Sequence, residues 1–404
     1  MTTLIVKNRH NARLRSGHLW VFRDDLESIP SSLAPGELVA VQSAGGHQYG
    51  TALFHPTSLI AARLLLSTTS ELSAEFFVER IRQALALRER VLPSERTFRL
   101  VFGESDFLPG LIIDRYHDIT RHQNNEYFVL QTLSAGMDNK KDEICTALRI
   151  VFPATHGILE KNTSALRQHD GLDKREGILW GTIPPAITIA EHGILSSVSL
   201  LEGQKTGYFL DQKLNRLKVK GLAAGLRVLD CFTNQGGFAL HAACGGAHYV
   251  LGLDSSQTAI QRCHINAELN GLSDIATFRC EDVTGYLQNA VEHYRNEPER
   301  PWDMIILDPP AFAKSKHHIP QAKRGYARIN RMALRLLPRG GLLATGSCSH
   351  HISEDMLFNI ILQEAERERR QLRLLFHGRQ SPCHPILASM PETSYLKFFI
   401  FEVI

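Results

Sequence analysis

At 404 residues the chain is longer than one hydrophobic core usually organises, so two or three domains are expected. Its formal net charge of +3 does not by itself indicate a polyanionic partner, and its apolar content of 43% is typical of a soluble globular protein. Since no run of about eighteen apolar residues, no secretory signal and no CxxC or Cys/His spacing is present, we expect a cytoplasmic protein with reduced thiols, without a membrane span or a metal site.

The N-terminal region alternates short apolar runs such as ELVAVQ and SLIAARLLL with Gly and Pro turns, which predicts a small β-rich domain over residues 1–70. Its first twenty-three residues hold five Lys or Arg and no acid, and Arg13, Arg15 and Trp20 lie among them. A second basic stretch without acids runs over residues 309–339. Two such stretches in a nearly neutral chain favour a nucleic acid partner over plain solvated surface.

The segment STTSELS has the composition of a linker, and a small α+β domain is predicted after it, over residues 74–190. Apolar residues at helical spacing in AEFFVERIRQALALRERVL predict that a helix opens this domain. Strand-like runs follow in RLVFGESDFLPGLIIDRY, EYFVLQTL, HGILEKN and GILWG, and KKDEICTALRIVF predicts a second helix.

The remaining residues, 191–404, are predicted to form a Rossmann-like α/β domain, because strands and helices alternate at spacings that suit a parallel sheet. One apolar strand ends at Asp230 and is followed by a glycine pair and a helix. The next ends at Asp254, with Ser255 or Ser256 as the cap of the following helix. Carboxylates at the ligand edge of such a sheet can hold ribose hydroxyls, so a nucleotide-binding layout is predicted.

The first turn of this domain favours one nucleotide cofactor over another. NAD and S-adenosylmethionine sites both use a glycine-rich turn and an acid after the second strand, but GxGxxG is absent here. The loop DCFTNQGGF begins with an acid, which repels a pyrophosphate and attracts a cationic ammonium or sulfonium group. We therefore predict S-adenosylmethionine as the cofactor. The alternative is that the strand-end acids are ordinary turn residues.

The run WDMIILDPPAF predicts a third strand, Met304 to Leu307, that stops at Asp308. Pro309 and Pro310 have fixed φ and no backbone N–H, so the chain after the acid is stiff. This leaves the Asp308 carboxylate and the Pro309 carbonyl as acceptors for the amino group or ring N–H of a planar base. The alternative is a plain strand terminator, because two prolines end any ladder.

The run GGLLATGSCSHH predicts a fourth strand with Cys348 at its carboxyl end, whereas Cys145 and Cys263 lie on apolar helical faces. If this strand neighbours the Asp308 strand, about 4.8 Å away, both side chains can face one substrate. A thiolate that adds to C6 of a pyrimidine makes C5 reactive toward a methyl donor, and an acid at N3 takes up the developing charge. We therefore predict Cys348 as the nucleophile and Asp308 as the assisting acid.

Cations of the basic stretch and the two histidines after Cys348 are predicted to favour ionisation of the thiol or to contact RNA. Cations can favour ionisation of a thiol, and the candidates here are Lys314, Lys316, His350 and His351. Arginines recur at four, three and four residues, as one stripe of a helix, at Arg324, Arg328, Arg331 and Arg335. The residues of this helix that can face the core are Ile329, Met332, Ala333 and Leu336. The stripe is predicted to contact phosphates, and the alternative is a solvated helical face.

Together these motifs resemble the bacterial large-subunit ribosomal RNA cytosine-C5 methyltransferases that have an N-terminal PUA domain, over nearly the whole chain. RLRSGHLWVFRDDL resembles the start of the PUA domain, and GESDFLPGLIIDRY and EGQKTGYFLDQKLNR resemble the middle-domain and pre-Rossmann signatures. DPPAF and GSCS resemble the catalytic turns. The resemblance implies S-adenosylmethionine-dependent methylation of structured RNA, with Cys348 as the nucleophile and Asp308 as its assisting acid.

The expected ligand contacts fall into two groups. The resemblance implies that the cofactor site is lined by Phe209, Asp211, Gln212, Asp230, Gly236, Asp254 and Asp282. Further predicted cofactor contacts are Phe232, Ser255 and Asp308. The predicted RNA-binding residues are Arg13, Arg15, Trp20, Lys314, Lys316, Arg324, Arg328 and Arg331.

Two departures from the family pattern occur. Asn234 and Gln235 replace the aromatic or hydroxyl pair that is commoner in the glycine loop, and Pro310 stands where many other RNA cytosine-C5 enzymes have a second cysteine. Two other functions remain open. One is an N-methyltransferase that uses only the DPP turn to orient an exocyclic amine, with Cys348 structural. The other is a non-catalytic RNA-binding assembly factor.

Overall fold

The computed structural model describes residues 1–30, 32–66, 68–120, 125–203, 206–313 and 315–404. The chain divides into two compact units. The first unit consists of Met1–Ile189, Val198–Leu210 and Pro382–Thr393. The second unit consists of Ala190–Ser197, Asp211–Ser381 and Ser394–Ile404. The division into three domains at residues 1–70, 74–190 and 191–404 stays a prediction.

The N-terminal part of the first unit is a five-stranded sheet with the order β1-β3-β4-β5-β2. Its strands are β1 (Thr3–Val6), β2 (Trp20–Phe22), β3 (Leu38–Ser43), β4 (Gln48–Phe54) and β5 (Ile60–Leu64). A short helix, α1 (Asn11–Arg15), lies between β1 and β2 in the chain. Alternate residues of β3 are buried, Val39 and Val41 among them, as expected for a strand with one face in a core. The predicted β-rich N-terminal region is confirmed.

A second five-stranded sheet with the order β10-β9-β8-β7-β6 occupies the rest of the first unit. Its strands are β6 (Phe98–Phe102), β7 (Leu111–Asp118), β8 (Asn125–Thr132), β9 (Thr155–Asn162) and β10 (Arg175–Gly181). The helices of this part are α2 (Ala74–Val91), α3 (Ala135–Asp138) and α4 (Lys141–Val151). Ser73 caps α2, whose Phe77 and Ile81 are buried at the helical spacing read from the sequence. This α+β arrangement matches the predicted one.

A hairpin that the sequence reading did not predict, β11 (Ile187–Glu191) and β12 (Ile194–Val198), is divided between the two units. In the second unit, Glu191 is buried and receives two hydrogen bonds from Arg216 of α5 (Lys213–Lys220), at 2.6 and 2.9 Å. Burial raises the pKa of Glu191, but the facing cations outweigh it and lower the pKa to about 2. This buried ion pair holds the hairpin to α5.

The second unit is built on a seven-stranded sheet with the order β15-β14-β13-β16-β17-β19-β18. Its strands are β13 (Arg227–Cys231), β14 (Tyr249–Asp254), β15 (Ala276–Cys280), β16 (Met304–Leu307), β17 (Leu342–Ser347), β18 (Leu372–Arg379) and β19 (Lys397–Val403). Its further helices are α6 (Gly237–Cys244), α7 (Gln257–Leu269), α8 (Val283–His293), α9 (Ile319–Leu336) and α10 (Glu354–Arg367). The strands β13 to β17 are parallel, and β19 runs antiparallel between β17 and β18.

Helices cover both faces of this sheet, and its central strand β16 is apolar throughout. Ile305 and Leu307 of β16 belong to one core with α8, α9 and α10, while Met304 and Ile306 belong to the core on the opposite face. A strand buried on both faces reads as a continuous apolar run, which is why its sequence is recognisable. The four residues of α9 expected to face the core are buried. The predicted fold class is confirmed.

None of the described helices combines the length and apolarity that crossing a bilayer requires. The described side chains also contain no group of three His, Cys, Asp or Glu residues arranged to hold a metal ion.

Candidate active site

Three acids lie at the carboxyl edge of the second unit's sheet. Asp230 lies in β13, Asp254 is the last residue of β14, and Asp308 directly follows β16. Because β13 pairs in parallel with both β14 and β16, these strand ends meet at one edge. The charges of Asp254 and Asp308 both act on Asp230. The structure therefore brings together the acids that the sequence places at strand ends.

Asp230 is fully buried and is held by the turn that follows β13. The Thr233 hydroxyl and the Ala239 amide both donate to its Oδ2, at 2.6 and 2.9 Å. Its Oδ1 is buried and accepts no hydrogen bond from any described residue. Burial, together with the charges of Asp308 and Asp254, raises the pKa of Asp230 to about 7. An unpaired carboxylate oxygen in this position suits a cationic ligand group.

The turn between β13 and α6 has left-handed backbone at alternate residues. Phe232, Asn234 and Gly236 have φ angles of +64°, +52° and +83°. Only glycine adopts this region without strain, and an aromatic residue there is uncommon. The amide of Asn234 donates to Oδ2 of Asp254 at 3.0 Å, which ties the turn to the end of β14. Strained backbone of this kind is typical of ligand-binding turns.

The turns after β14 and β15 hold two further predicted residues. The second oxygen of Asp254 accepts from the amide of Ser256 at 2.9 Å. Of the two serines predicted as a helix cap, Ser256 caps α7 and Ser255 precedes it. Asp282 caps α8 by accepting a hydrogen bond from the amide of Gly285 at 2.7 Å. Backbone amides thus orient both acids at the sheet edge.

Asp308 is bound by a glutamine that precedes α5. Nε2 of Gln212 donates to Oδ1 of Asp308 at 2.9 Å. The side-chain Nδ2 of Asn215 donates to Oε1 of Gln212 at 2.6 Å, which fixes the direction of the glutamine side chain. Gln212, predicted as a cofactor contact, therefore lies beside the predicted catalytic acid.

Cys348 directly follows β17, which pairs in parallel with β16. Asp308 directly follows β16, so the thiol and the carboxyl group lie on neighbouring turns. The hydroxyl of Ser349 donates to the carbonyl of Ala313 at 2.9 Å and links these two turns. Cys348 is partly exposed, unlike the buried Cys263 of α7.

Tyr326 of α9 interacts with both turns. Its hydroxyl lies 2.7 Å from Oγ of Ser347, the last residue of β17. Burial raises the pKa of Tyr326 to about 12, and the charges of Cys348 and Asp308 act in the same direction. The ring of Tyr326 also lies 4.8 Å from that of Phe312, in the turn after Asp308, so one residue of α9 contacts the turns that hold the thiol and the carboxyl group. This supports the expected proximity of Cys348 and Asp308.

The other pre-Rossmann residues are divided between the units. Asp211 belongs to the second unit, and its Oδ2 accepts a hydrogen bond from the Tyr395 hydroxyl at 2.6 Å. Its Oδ1 is buried and accepts no hydrogen bond from the described residues. Phe209 belongs to the first unit. Within the second unit, Asp211 is thus a second acid with an unpaired buried oxygen.

Lys397 was missed at the sequence level. It is the first residue of β19, it pairs with Ser347 of β17, and it is buried. Its Nζ donates to the carbonyls of Ser349 and Tyr395 at 2.7 and 2.8 Å. The available signal was a lysine in an otherwise apolar run, LKFFIF.

The arginines of the predicted stripe on α9 differ in their partners. Arg324 and Arg328 are exposed, and Arg328 makes one hydrogen bond to an amide on α8 at 2.8 Å. Arg331 donates to Glu364 of α10 at 2.5 Å, and Arg335 makes an ion pair with the residue after α10's end at 2.8 Å. The stripe is therefore divided by its partners, and a phosphate-binding role for its arginines stays a prediction.

Two lysines of the basic stretch were expected near the thiol and the RNA. Lys316 is exposed in a short 3-10 turn that directly precedes α9. Lys314 lies outside the described residues.

The predicted RNA-binding residues of the first unit differ in their surroundings. Arg13 donates to Asp25 at 2.5 Å, and Trp20 is half-buried and donates its indole N–H to Glu104 at 2.7 Å. Arg15 is exposed. Arg13 and Trp20 thus have structural partners that the sequence did not indicate, while an RNA-binding role for all three stays a prediction.

The described residues fit the cofactor predicted from the sequence. The unpaired oxygens of Asp230 and Asp211 suit a cationic aminoacyl group, and Asp254 retains lone pairs for ribose hydroxyls. Gly236 supplies the left-handed backbone that leads the turn into α6, and a Cβ there would contact the core residues Leu240, Phe278 and Cys263.

Two family descriptions match the chain. Residues 4–66 match a PUA-like domain, and residues 172–398 match the S-adenosylmethionine-dependent methyltransferases. Among curated relatives, the chain is similar to proteins named "Ribosomal RNA large subunit methyltransferase I". The one from Erwinia tasmaniensis is 36% identical over 406 residues, covering 99% of both chains. The one from Vibrio cholerae is 36% identical over 403 residues, covering 99% of this chain and 98% of that protein.

Solved structures show the same fold at lower identity. A putative SAM-dependent methyltransferase from Streptococcus mutans matches over 100% of both chains with a TM-score of 0.82 and 23% identity. A putative methyltransferase crystallised with SAH matches over 100% of both chains with a TM-score of 0.83 and 24% identity. The Trm5b structure from Pyrococcus abyssi covers 72% of this chain and 74% of that chain, with a TM-score of 0.51 and 16% identity.

Proposed function

Because the chain belongs to the family of S-adenosylmethionine-dependent methyltransferases with a PUA-like domain, we propose that it methylates C5 of a cytosine in large-subunit ribosomal RNA through a covalent adduct on Cys348. Full-length relatives named for large-subunit ribosomal RNA support this substrate. The exposed Arg15, Arg324 and Arg328 are suited to RNA phosphates.

One observation carries the proposed chemistry. Cys348 and Asp308 follow neighbouring parallel strands at the sheet edge that also holds Asp230, whose unpaired oxygen suits the cofactor. A nucleophilic thiol and an acid on adjoining turns are the two groups that activation of pyrimidine C5 requires.

The reaction follows from the chemistry of these side chains. The thiolate of Cys348 forms a bond to C6 of cytosine as the C5–C6 double bond opens, and the carboxyl proton of Asp308 passes to N3, where the negative charge develops. The bound cofactor supplies an electrophilic methyl group. C5, now electron-rich, forms the bond to that methyl group as the bond from the methyl carbon to the sulfonium sulfur breaks, which leaves a neutral thioether. A base then takes the C5 proton, N3 returns its proton to Asp308, and the C6–S bond breaks to regenerate the thiolate.

Substitution of the thiol tests this proposal. Purified protein, labelled S-adenosylmethionine and unmodified large-subunit RNA are expected to give 5-methylcytidine, identified by mass spectrometry of digested nucleosides. C348A is expected to lose this product by at least about a thousandfold while binding the cofactor as the wild type does. C244A, which removes an exposed thiol from α6, is the matched control and is expected to retain activity.

The same assay separates the other functions. An N-methylated nucleoside formed by both the wild type and C348A would indicate an exocyclic-amine methyltransferase with a structural cysteine. RNA binding without any methyl transfer would indicate an assembly factor.

A further inference from the structure

Lys397 is a buried cation beside the proposed nucleophile. It begins β19, an interior strand of the seven-stranded sheet, and only 7% of its surface is exposed. In the antiparallel pairing with β17 it stands opposite Ser347, and Cys348 is the next residue. A buried ammonium group is unfavourable unless an anion or several dipoles compensate it, so its partners indicate its role.

Hydrogen bonds to backbone carbonyls use two of the three ammonium protons. Nζ of Lys397 donates to the carbonyl of Ser349 at 2.7 Å and to that of Tyr395 at 2.8 Å. Ser349 follows Cys348 in the chain, so the first of these bonds fixes the ammonium group at the turn that holds the thiol. Neutral carbonyls accept the protons but leave a net positive charge without a counter-ion.

No carboxylate neutralises this charge in the part of the chain that the structure describes. The charge of Glu354 of α10 favours the protonated lysine, but Glu354 makes no direct ion pair with Lys397 among the described residues. It is engaged by His377 at 3.0 Å and by Arg379 at 3.5 Å. The other group whose charge favours the protonated lysine is Cys348. This interaction is reciprocal, because an ammonium group that is favoured by a thiolate also favours that thiolate.

The exposed lysine of the basic stretch is less suited to the same role. Lys316 is exposed, and water and salt screen an exposed charge. Lys397 is buried, so its charge is poorly screened and has a larger effect on a neighbouring thiol than an exposed lysine has.

We propose that the ammonium group of Lys397 stabilises Cys348 as a thiolate, so that Lys397 is a positioning residue for methyl transfer. This inference rests on the proposed function of Cys348 as the nucleophile. Ionisation releases the thiol proton to water, and Lys397 keeps its own proton. The sulfur electron pair then forms the bond to C6 of the base.

The surroundings of Lys397 define the pH range in which it acts. Burial lowers the pKa of Lys397 to about 8, and the charges of Cys348 and Glu354 oppose that change. Arg379 faces Lys397 across the β18 to β19 pairing, and Tyr326 interacts with the thiol from α9. Lys397 is therefore mainly protonated at neutral pH, and its support for the thiolate is lost as the pH rises through about 8.

Alkylation of the thiol tests the inference without RNA or S-adenosylmethionine. The full chain is treated with iodoacetamide from about pH 5 to about pH 9, and modification of each cysteine is followed by peptide mass spectrometry. In K397M the midpoint for Cys348 is expected to move up by about one to three pH units, with at least a tenfold lower rate near neutral pH. K397R keeps the charge and is expected to remain near the wild type. K316M is the matched control for an exposed lysine, and the exposed Cys244 is the internal standard.

Three results would overturn the inference. One is a K397M profile that superimposes on the wild type, and another is a shift in K316M as large as that in K397M. The third needs no variant: a wild-type midpoint for Cys348 at or above that of Cys244. Because the measurement omits the substrate, methylation by C348A would refute the proposed function and leave the alkylation result unchanged.

Discussion

Ionisation of the buried Asp230 is unfavourable in the free protein and is expected to become favourable when a cationic ligand binds beside it. Its pKa is raised from 3.8 to about 7, which corresponds to roughly 4 kcal/mol against the ionised side chain. The folded state therefore binds this proton more tightly than the unfolded state does. The stability that the proton contributes is complete below about pH 4 and is lost as the pH rises through about 7. A cationic ligand at the unpaired oxygen reverses this preference by favouring the carboxylate.

D230N is expected to weaken cofactor binding most at high pH. Above about pH 8 the wild type is ionised, so it is expected to bind S-adenosylmethionine about ten to a hundred times more tightly than the variant. Below about pH 6 the two affinities converge, because protonated Asp230 has no charge. Calorimetric titration across this range measures the ratio.

The control for this titration is an acid at the opposite edge of the sheet, just before β16. Asp303 is bound by Arg227 at 3.1 Å, and D303N is expected to give an affinity ratio that does not change with pH. An affinity ratio for D230N that stays constant with pH would contradict the assignment of a cationic group to Asp230.

At the scale of a single element, α9 serves both the core and the surface. Its apolar face fills one core of the second unit, and Arg331 neutralises Glu364, which is 2% exposed. Arg324 lies near the start of the helix and is exposed. The two arginines share one face of the helix but have different partners.

Substitution of these two arginines is expected to separate RNA binding from stability. R324A is expected to weaken binding to ribosomal RNA and to reduce the slope of log affinity against log salt by about one, because one phosphate contact is lost. R331A is expected to lower the free energy of unfolding by about 1 kcal/mol, since Glu364 loses a partner. Filter binding at several salt concentrations and urea unfolding measure the two effects. Equal effects of both variants on RNA binding would contradict the division of the stripe.

The elements that could be predicted are those whose type and bounds follow from neighbouring residues in the sequence. The strand ending at Leu307 is a continuous apolar run stopped by Asp308 and two prolines, so its bounds agree with the structure. The position of β19 between β17 and β18 was not predicted, because the order of residues in the chain does not show which strands pair. The proximity of Lys397 to Cys348 depends on that pairing across forty-nine positions of the chain.

At the scale of the whole molecule, the main feature is that the chain passes several times between the two units. The chain crosses between the two units after residues 189, 197, 210, 381 and 393. Neither unit is therefore one continuous segment. The final crossing leads into β19, which completes the sheet from inside, between β17 and β18.

Deletion of residues 394–404 is expected to unfold the second unit. It removes apolar side chains that are at most 1% exposed, namely Phe398, Phe399, Ile400, Phe401 and Val403. Burial of each is worth roughly 1.5–3 kcal/mol, so the loss is comparable with the total stability of a domain, about 5–15 kcal/mol. Circular dichroism melting and binding of a hydrophobic dye measure the effect. Deletion of the exposed Met1 and Thr2 is the control, and a native melting transition in the C-terminal deletion would contradict the expectation.

The late position of β19 in the chain has a consequence for biosynthesis. Translation proceeds from the N-terminus, so β17 and β18 leave the ribosome before the strand that must lie between them. Until β19 has left the ribosome, two strand edges stay unpaired and open to aggregation or chaperone binding. Lys397 also arrives only then, so a stalled or prematurely terminated nascent chain would hold Cys348 without the ammonium group proposed to stabilise its thiolate.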